Sequence, residues 1–226
     1  MISSKQTILV ITIVQALLLS ACTNITQEDN GVVENCDTII DKEYYEICYD
    51  YSYKGALFVS YSLDGNDVNR VNLEDRPTFY SEPSLDEKYS SNYSDYIGSG
   101  YDRGHLASDA SFDYSYKSLD SVYSMANIIP QNPDVNQKAW IDTEYLERKK
   151  AVEYGDVEVT IGVVYSDYPE RIGESLVAVP MGYYKSILNS GNEYQECFYY
   201  ENLPLDDDDT IENHKVECSA LTLKYQ

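Results

Sequence analysis

The sequence predicts an α+β fold, and three observations carry that expectation. Segments with the two-residue alternation of strands outnumber helical ones, the order shows no regular βαβ alternation, and no internal repeat is present. At 226 residues, the chain suits one domain with a proper core and short appendages. Lys and Arg total 16 against 39 Asp and Glu, a formal charge of −23. That balance argues against tight general attraction to nucleic acid or anionic lipid. With 43% hydrophobic residues and 24 tyrosines, the chain is expected to fold rather than stay disordered.

At the N-terminus, Lys5 precedes an apolar run from Ile8 to Cys22, short of the ~20 residues that span a bilayer. A basic start, an apolar middle and a small-residue exit make a signal peptide of residues 1–21. Leu19-Ser20-Ala21-Cys22 resembles the lipobox of bacterial lipoproteins. That resemblance implies cleavage before Cys22 and a lipid on it. Thr23 rather than an aspartate follows, which implies the outer membrane under enterobacterial-type sorting. The expected location is an exported membrane lipoprotein facing the periplasm or the cell surface; an ordinary signal peptide or an uncleaved anchor is the plainer alternative. Of five cysteines, lipidation leaves Cys36, Cys48, Cys197 and Cys218, an even number suited to two disulfides in an oxidising compartment. Four cysteines allow three connectivities, and proximity favours Cys36–Cys48 and Cys197–Cys218. No C-x2-C pair points to zinc.

Residues 22–43 read as a lipidated, polar tether and residues 44–226 as the folded domain. Leu57, Val59, Tyr61 and Leu63 alternate with Ser60 and Ser62 as a half-buried strand. Asp64 to Asp67 offers a turn, with Val68 to Leu73 a return strand. Ser81 to Gly100 is polar, carries Pro83 and two glycines, and reads as a long surface loop. Val122 to Ile129 reads as a strand ended by Pro130. From Gln137 to Glu153, Ala139, Trp140, Thr143 and Leu146 recur at helical spacing. Val157, Val159, Ile161, Val163 and Tyr165 share one face of a further strand, and the segments at Ser175 to Pro180 and Lys215 to Tyr225 look like others. Asp206 to Asp209 is a solvated loop tip, since it lacks the glycine and distal glutamate of a calcium-binding EF-hand. His214 has no motif around it and reads as surface.

The other histidine, His105, closes the stretch Asp102-Arg103-Gly104-His105. Alone it would be a structural residue. Downstream stand Asn127 to Gln131 (NIIPQ) and Asn136 to Trp140 (NQKAW), followed by Glu144 and Arg148, with Arg76 to Pro83 upstream. Taken in order, these segments resemble the DNA/RNA non-specific endonucleases of the ββα-metal (His-Me finger) superfamily, over roughly Leu57 to Leu188. Two positions depart from the family pattern: Ser108 where proline is common, and Gly162-Val163 where Gly-Pro is usual. Neither carries the chemistry.

The resemblance implies a ββα-metal core with a central, mostly antiparallel sheet flanked by helices. It implies metal-dependent hydrolysis of phosphodiester bonds in DNA and RNA without strong sequence preference. His105 would be the general base. Asn136 would be the one side chain directly binding one divalent cation, magnesium first and manganese as the alternative. Glu144 lies eight residues further, roughly 12 Å along a helix, so it would act through water; otherwise it is a surface pair with Arg148. Arg76, Arg103 and Arg148 would clamp phosphate oxygens, with Arg70 a competitor for Arg76. Asn127 would shape the metal and water network, or tie a strand end to backbone. Trp140 is core packing.

Charge is the difficulty, since phosphate contacts normally dominate nucleic-acid affinity. Asn136 to Lys150 carries four cations against three acids, so a compact positive cleft and weak substrate binding are expected. Two other classes remain: a surface lipoprotein using this fold as a binding or adhesion module, and an acidic calcium-binding surface protein.

Overall fold

A computed structural model describes residues 36–224, with side chains through Leu221. The expected signal peptide and Cys22 lie outside the described residues. The chain is already in the sheet at β1 (Thr38–Asp41), which pairs with β2 (Glu46–Asp50). Folding therefore begins ahead of the expected boundary at Tyr44. The Cys36–Cys48 disulfide ties the start of this hairpin to the middle of β2.

The alternating serines and apolar residues make β3 (Gly55–Asp64), with Val59, Tyr61 and Leu63 buried. No return strand follows at Val68 to Leu73. Both edges of β3 are taken, by β2 and by a later strand, so this segment has no ladder to join. Instead Asp64 caps the single turn α1 (Gly65–Val68), accepting from Asn66 N at 2.7 Å. The chain then runs over the helices that follow, with Leu73 N donating to Asp113 O at 3.1 Å.

Ser81 to Gly100 is irregular but not simply superficial: Glu82, Ser90, Ser91, Asp95 and Tyr96 are buried. Its polar groups are answered internally. Glu82 accepts from Lys42 and Ser124, each at 2.7 Å, and Tyr96 donates to Ile128 O at 3.2 Å. Beyond it come β4 (Asp102–His105), α2 (Asp109–Phe112), α3 (Tyr116–Val122) and β5 (Ile128–Gln131). The strand expected from Val122 to Ile129 is thus shifted. Ser115 caps α3, Ser124 caps a short 3-10 turn, and extended backbone starts at Ile128. Pro130 lies inside β5 rather than ending it, as a two-stranded ribbon with β4 tolerates.

A wide π-type turn, Val135–Ala139, leads into α4 (Trp140–Tyr154), which Gly155 ends at φ +95°. Trp140, Thr143, Glu147 and Ala151 form its buried stripe. Leu146, expected in that stripe, is only partly buried. Then follow β6 (Asp156–Val164), the short pair β7 (Arg171–Ile172) and β8 (Val177–Ala178), β9 (Gly182–Asn189), β10 (Tyr194–Glu201), β11 (Lys215–Val216) and α5 (Cys218–Lys224). Beyond Val216 the expected strand is a helix. Cys218 is bonded to Cys197 in β10, and Ala220 and Leu221 are good helix formers.

The main sheet runs β1-β2-β3-β6-β9-β10-β11, with every neighbouring pair antiparallel. α4 packs its stripe on the sheet: Trp140 meets Tyr183 and Tyr200 edge-on at 5.1 and 5.5 Å. Each such pair adds about 0.5–1.5 kcal/mol beyond area burial. β4 and β5, paired across the intervening α2 and α3, form a ββα unit with α4.

Candidate active site

β4 and β5 pair Asp102 with Gln131 and His105 with Ile128. Gly104 is required there, because any Cβ would collide with the Gln131 side chain. Past His105 the chain is held by buried Asn127. Its Oδ1 accepts from Ala107 N, and its Nδ2 donates to Ala107 O and Val122 O, all at 2.9 Å. Both amide hydrogens and one lone pair of the oxygen are engaged with backbone, so Asn127 positions the turn after His105, the backbone-tied role that the sequence left open beside a place in the water network.

The His105 ring lies 5.4 Å from Phe79 and 5.1 Å from Tyr123. Its Nε2 is covered and has no hydrogen-bond partner. Burial pushes the imidazole down to about 4; nearby Asp109 opposes that shift, while Arg76 and Arg103 reinforce it. His105 is therefore neutral near pH 7, the form that can accept a proton.

The three arginines differ. Arg76 pairs with Asp109 at 3.0 Å and Asp113 at 3.4 Å and also donates to Leu73 O. Asp109 is fixed in turn by the Tyr123 hydroxyl at 3.1 Å. Arg70 is spent on Asp67 at the surface, so Arg76 is the one beside His105. Arg103 has no carboxylate partner among the described residues; its guanidinium sits over Tyr93 at 4.3 Å and Phe79 at 5.4 Å. Arg148 keeps a buried Nη1 with no partner.

Asn136 falls in the π-type turn, the kind of local widening that recurs at functional sites. Its Nδ2 donates to Asp102 Oδ2 at 3.0 Å, and Gln137 Nε2 donates to the same oxygen at 2.7 Å. Asp102 thereby ties the turn to the strand that carries His105. Asn136 Oδ1 has no hydrogen-bond partner among the described residues, and an amide oxygen is the hard, neutral donor a divalent cation takes. No cluster of three or more His, Cys, Asp or Glu is placed to hold a metal among the described residues.

Glu144 accepts no hydrogen bond among the described residues. Burial pushes its carboxyl up to about 8; Lys185 and Arg148 oppose this and Glu147 and Asp109 reinforce it. Asp109 thus acts on both His105 and Glu144, joining the two halves of the site. One turn on, Glu147 is sealed. It accepts from Lys185 at 2.7 Å, Ser111 at 2.7 Å and Tyr61 at 3.0 Å, and Lys185 also lies 4.6 Å over the Trp140 ring.

Sequence reading missed Asp102, Asp109, Glu147 and Lys185. Asp102 stood inside the motif without a role, and no motif or periodicity singled out the other three. His214 is not plain surface: its Nε2 meets Asp209 at 2.7 Å and its ring stacks on Tyr200 at 3.9 Å. The acidic loop thus closes on itself, with Asn213 also donating to Asp209.

A profile of the family described as DNA/RNA non-specific endonuclease matches residues 24–223. Mitochondrial endonuclease G of Bos taurus is 28% identical over 190 residues, covering 78% of this chain and 64% of its own length. The Homo sapiens protein is 28% identical over 193 residues, with 80% and 65% covered. The chain thus spans just under two thirds of the length of these curated relatives. A crystal structure of the EndoG/EndoGI complex matches with TM-score 0.75 at 25% identity, covering 83% of each chain.

Proposed function

The chain belongs to the DNA/RNA non-specific endonuclease family, and from that premise we propose that it hydrolyses phosphodiester bonds of DNA and RNA without strong sequence preference, outside the cytoplasm. One observation carries the reading: a histidine held neutral by burial stands beside Arg103, whose charge no carboxylate neutralises among the described residues.

His105 removes a proton from the attacking water. Arg103 and Arg148 hold the phosphate oxygens and stabilise the charge that develops on them; Arg76 joins by loosening its hold on Asp109 or Asp113. Asn136, pinned by Asp102, would hold one divalent cation, with Glu144 reaching it through water. Magnesium is the first choice and manganese the alternative. When bound, such a cation supplies Lewis-acid stabilisation of the scissile phosphate and the departing oxygen. Asn127 keeps the backbone behind His105 fixed during the reaction.

We also read the protein as an exported bacterial lipoprotein, acylated on Cys22 and held at the outer membrane. Support comes from the lipobox-like Leu19 to Cys22 and from two disulfides, which persist in oxidising compartments. No helix among the described residues is long and apolar enough to cross a membrane.

The test incubates the full-length protein with plasmid DNA and with RNA, in Mg2+ or in EDTA, beside His105→Ala. Metal-dependent cleavage should fall by about 10²–10⁴-fold in the variant. Cleavage that survives EDTA, or a folded wild-type protein inert with every divalent cation, removes the proposal.

A further inference from the structure

We propose that Tyr93 is a base-stacking platform: it takes the face of an unpaired nucleobase next to the phosphate held by Arg103, and so biases cleavage toward single-stranded nucleic acid. The inference rests on the nuclease reading above and names the substrate class of that site.

Tyr93 opens the 3-10 turn Tyr93–Tyr96. That turn is pinned on both sides. Asn92 N donates to Asp95 Oδ2 at 2.8 Å, Asn92 Nδ2 donates to Ser175 Oγ at 3.1 Å, and Tyr96 is buried. Between these anchors Tyr93 remains 47% exposed. Its hydroxyl makes no hydrogen bond among the described residues, so no polar contact turns the ring inward. The Arg103 guanidinium lies over the ring at 4.3 Å, and Phe79 touches it at 6.1 Å. Phe79 in turn touches His105. An exposed aromatic surface thus stands two ring contacts from the base, on the guanidinium that meets phosphate.

This arrangement answers the charge difficulty. At −23 the protein cannot rely on long-range attraction of phosphates. Stacking depends little on charge and accepts any base, because every base has a π face. In a duplex both faces are already stacked, and exposing one costs unstacking energy. A single strand offers a free face.

The test compares wild type, Tyr93→Ser and Tyr93→Phe, all full-length and in Mg2+. Three labelled oligonucleotides are used: a single strand, its blunt duplex, and the same strand with abasic nucleotides replacing the bases. Stacking predicts that wild type prefers the intact single strand. Tyr93→Ser should then lose about 5- to 100-fold in kcat/KM on it, mainly through KM, while Tyr93→Phe keeps most activity. The loss should shrink to about twofold or less on the abasic strand. A loss of equal size on abasic and intact strands would show that Tyr93 only holds Arg103, and would overturn the inference. So would no loss on either. Should wild type cleave nothing, the nuclease reading falls. The Kd of each variant for intact and abasic strands, from fluorescence anisotropy, still decides whether Tyr93 stacks on bases.

Discussion

Glu144 and Glu147 stand one turn apart on α4, and the protein treats them in opposite ways. Glu147 has no exposed surface and meets a lysine, a serine and a tyrosine. Glu144 makes no hydrogen bond among the described residues, and burial pushes its carboxyl up to about 8. Arg148 repeats the second pattern with an unpartnered Nη1. Satisfied polar groups hold α4 against the sheet, while unsatisfied ones stand ready for a ligand that completes them. One helix therefore carries a rigid side and a reactive side.

The comparison breaks most visibly at its rigid side. Glu147→Ala leaves the Lys185 charge buried and alone, which should cost about 3–5 kcal/mol. A urea titration would read this as a lower midpoint, and an unchanged midpoint would mean the pair does not hold the helix. Arg148→Ala tests the reactive side. Cleavage should slow by about 10²–10³-fold while the urea midpoint stays close to wild type. Tyr61→Phe removes one donor to Glu147 and keeps the ring, so a smaller loss of about 1.5 kcal/mol is expected.

The smallest effect is in pH dependence. His105 is lowered from 6.5 to about 4. Its stabilising contribution is complete above 6.5 and lost as pH falls through about 4. Glu144 is raised from 4.5 to about 8. Its contribution is complete below 4.5 and lost as pH rises through about 8. Without divalent cation, wild type should lose stability relative to Glu144→Gln between those last two values. Parallel urea midpoints across that range would remove the account of Glu144. The amplitude is modest because this carboxyl is only half-buried and partly screened by water.

Much of the reactive side was legible in the sequence, and little of the rigid side. His105, Asn136 and Glu144 sit in motifs whose residue types the chemistry demands. Val157 to Val163 alternate with a period of two and form β6 as expected. Glu147 and Lys185 were invisible because a hydrophobic pattern scores a buried, paired charge as surface. The return strand after Asp64 failed because local alternation says nothing about whether a neighbouring edge is free. Pro130 misled in the other direction, since a ribbon of two strands leaves proline an unpaired side. The early start at Thr38 goes with the Cys36–Cys48 bond, which proximity favoured without placing it in a strand.

That bond has a mechanical meaning. A pull on the chain ahead of Cys36 enters the fold at its sulfur and passes covalently to Cys48 in the middle of β2. The β1–β2 rungs from Ile39–Cys48 to Asp41–Glu46 lie inside the closed loop and are bypassed by that load. A terminal strand under tension would otherwise peel from its neighbour one rung at a time. Here the disulfide works as a rivet: force reaches the sheet as shear along β2, which β3 braces from the far side.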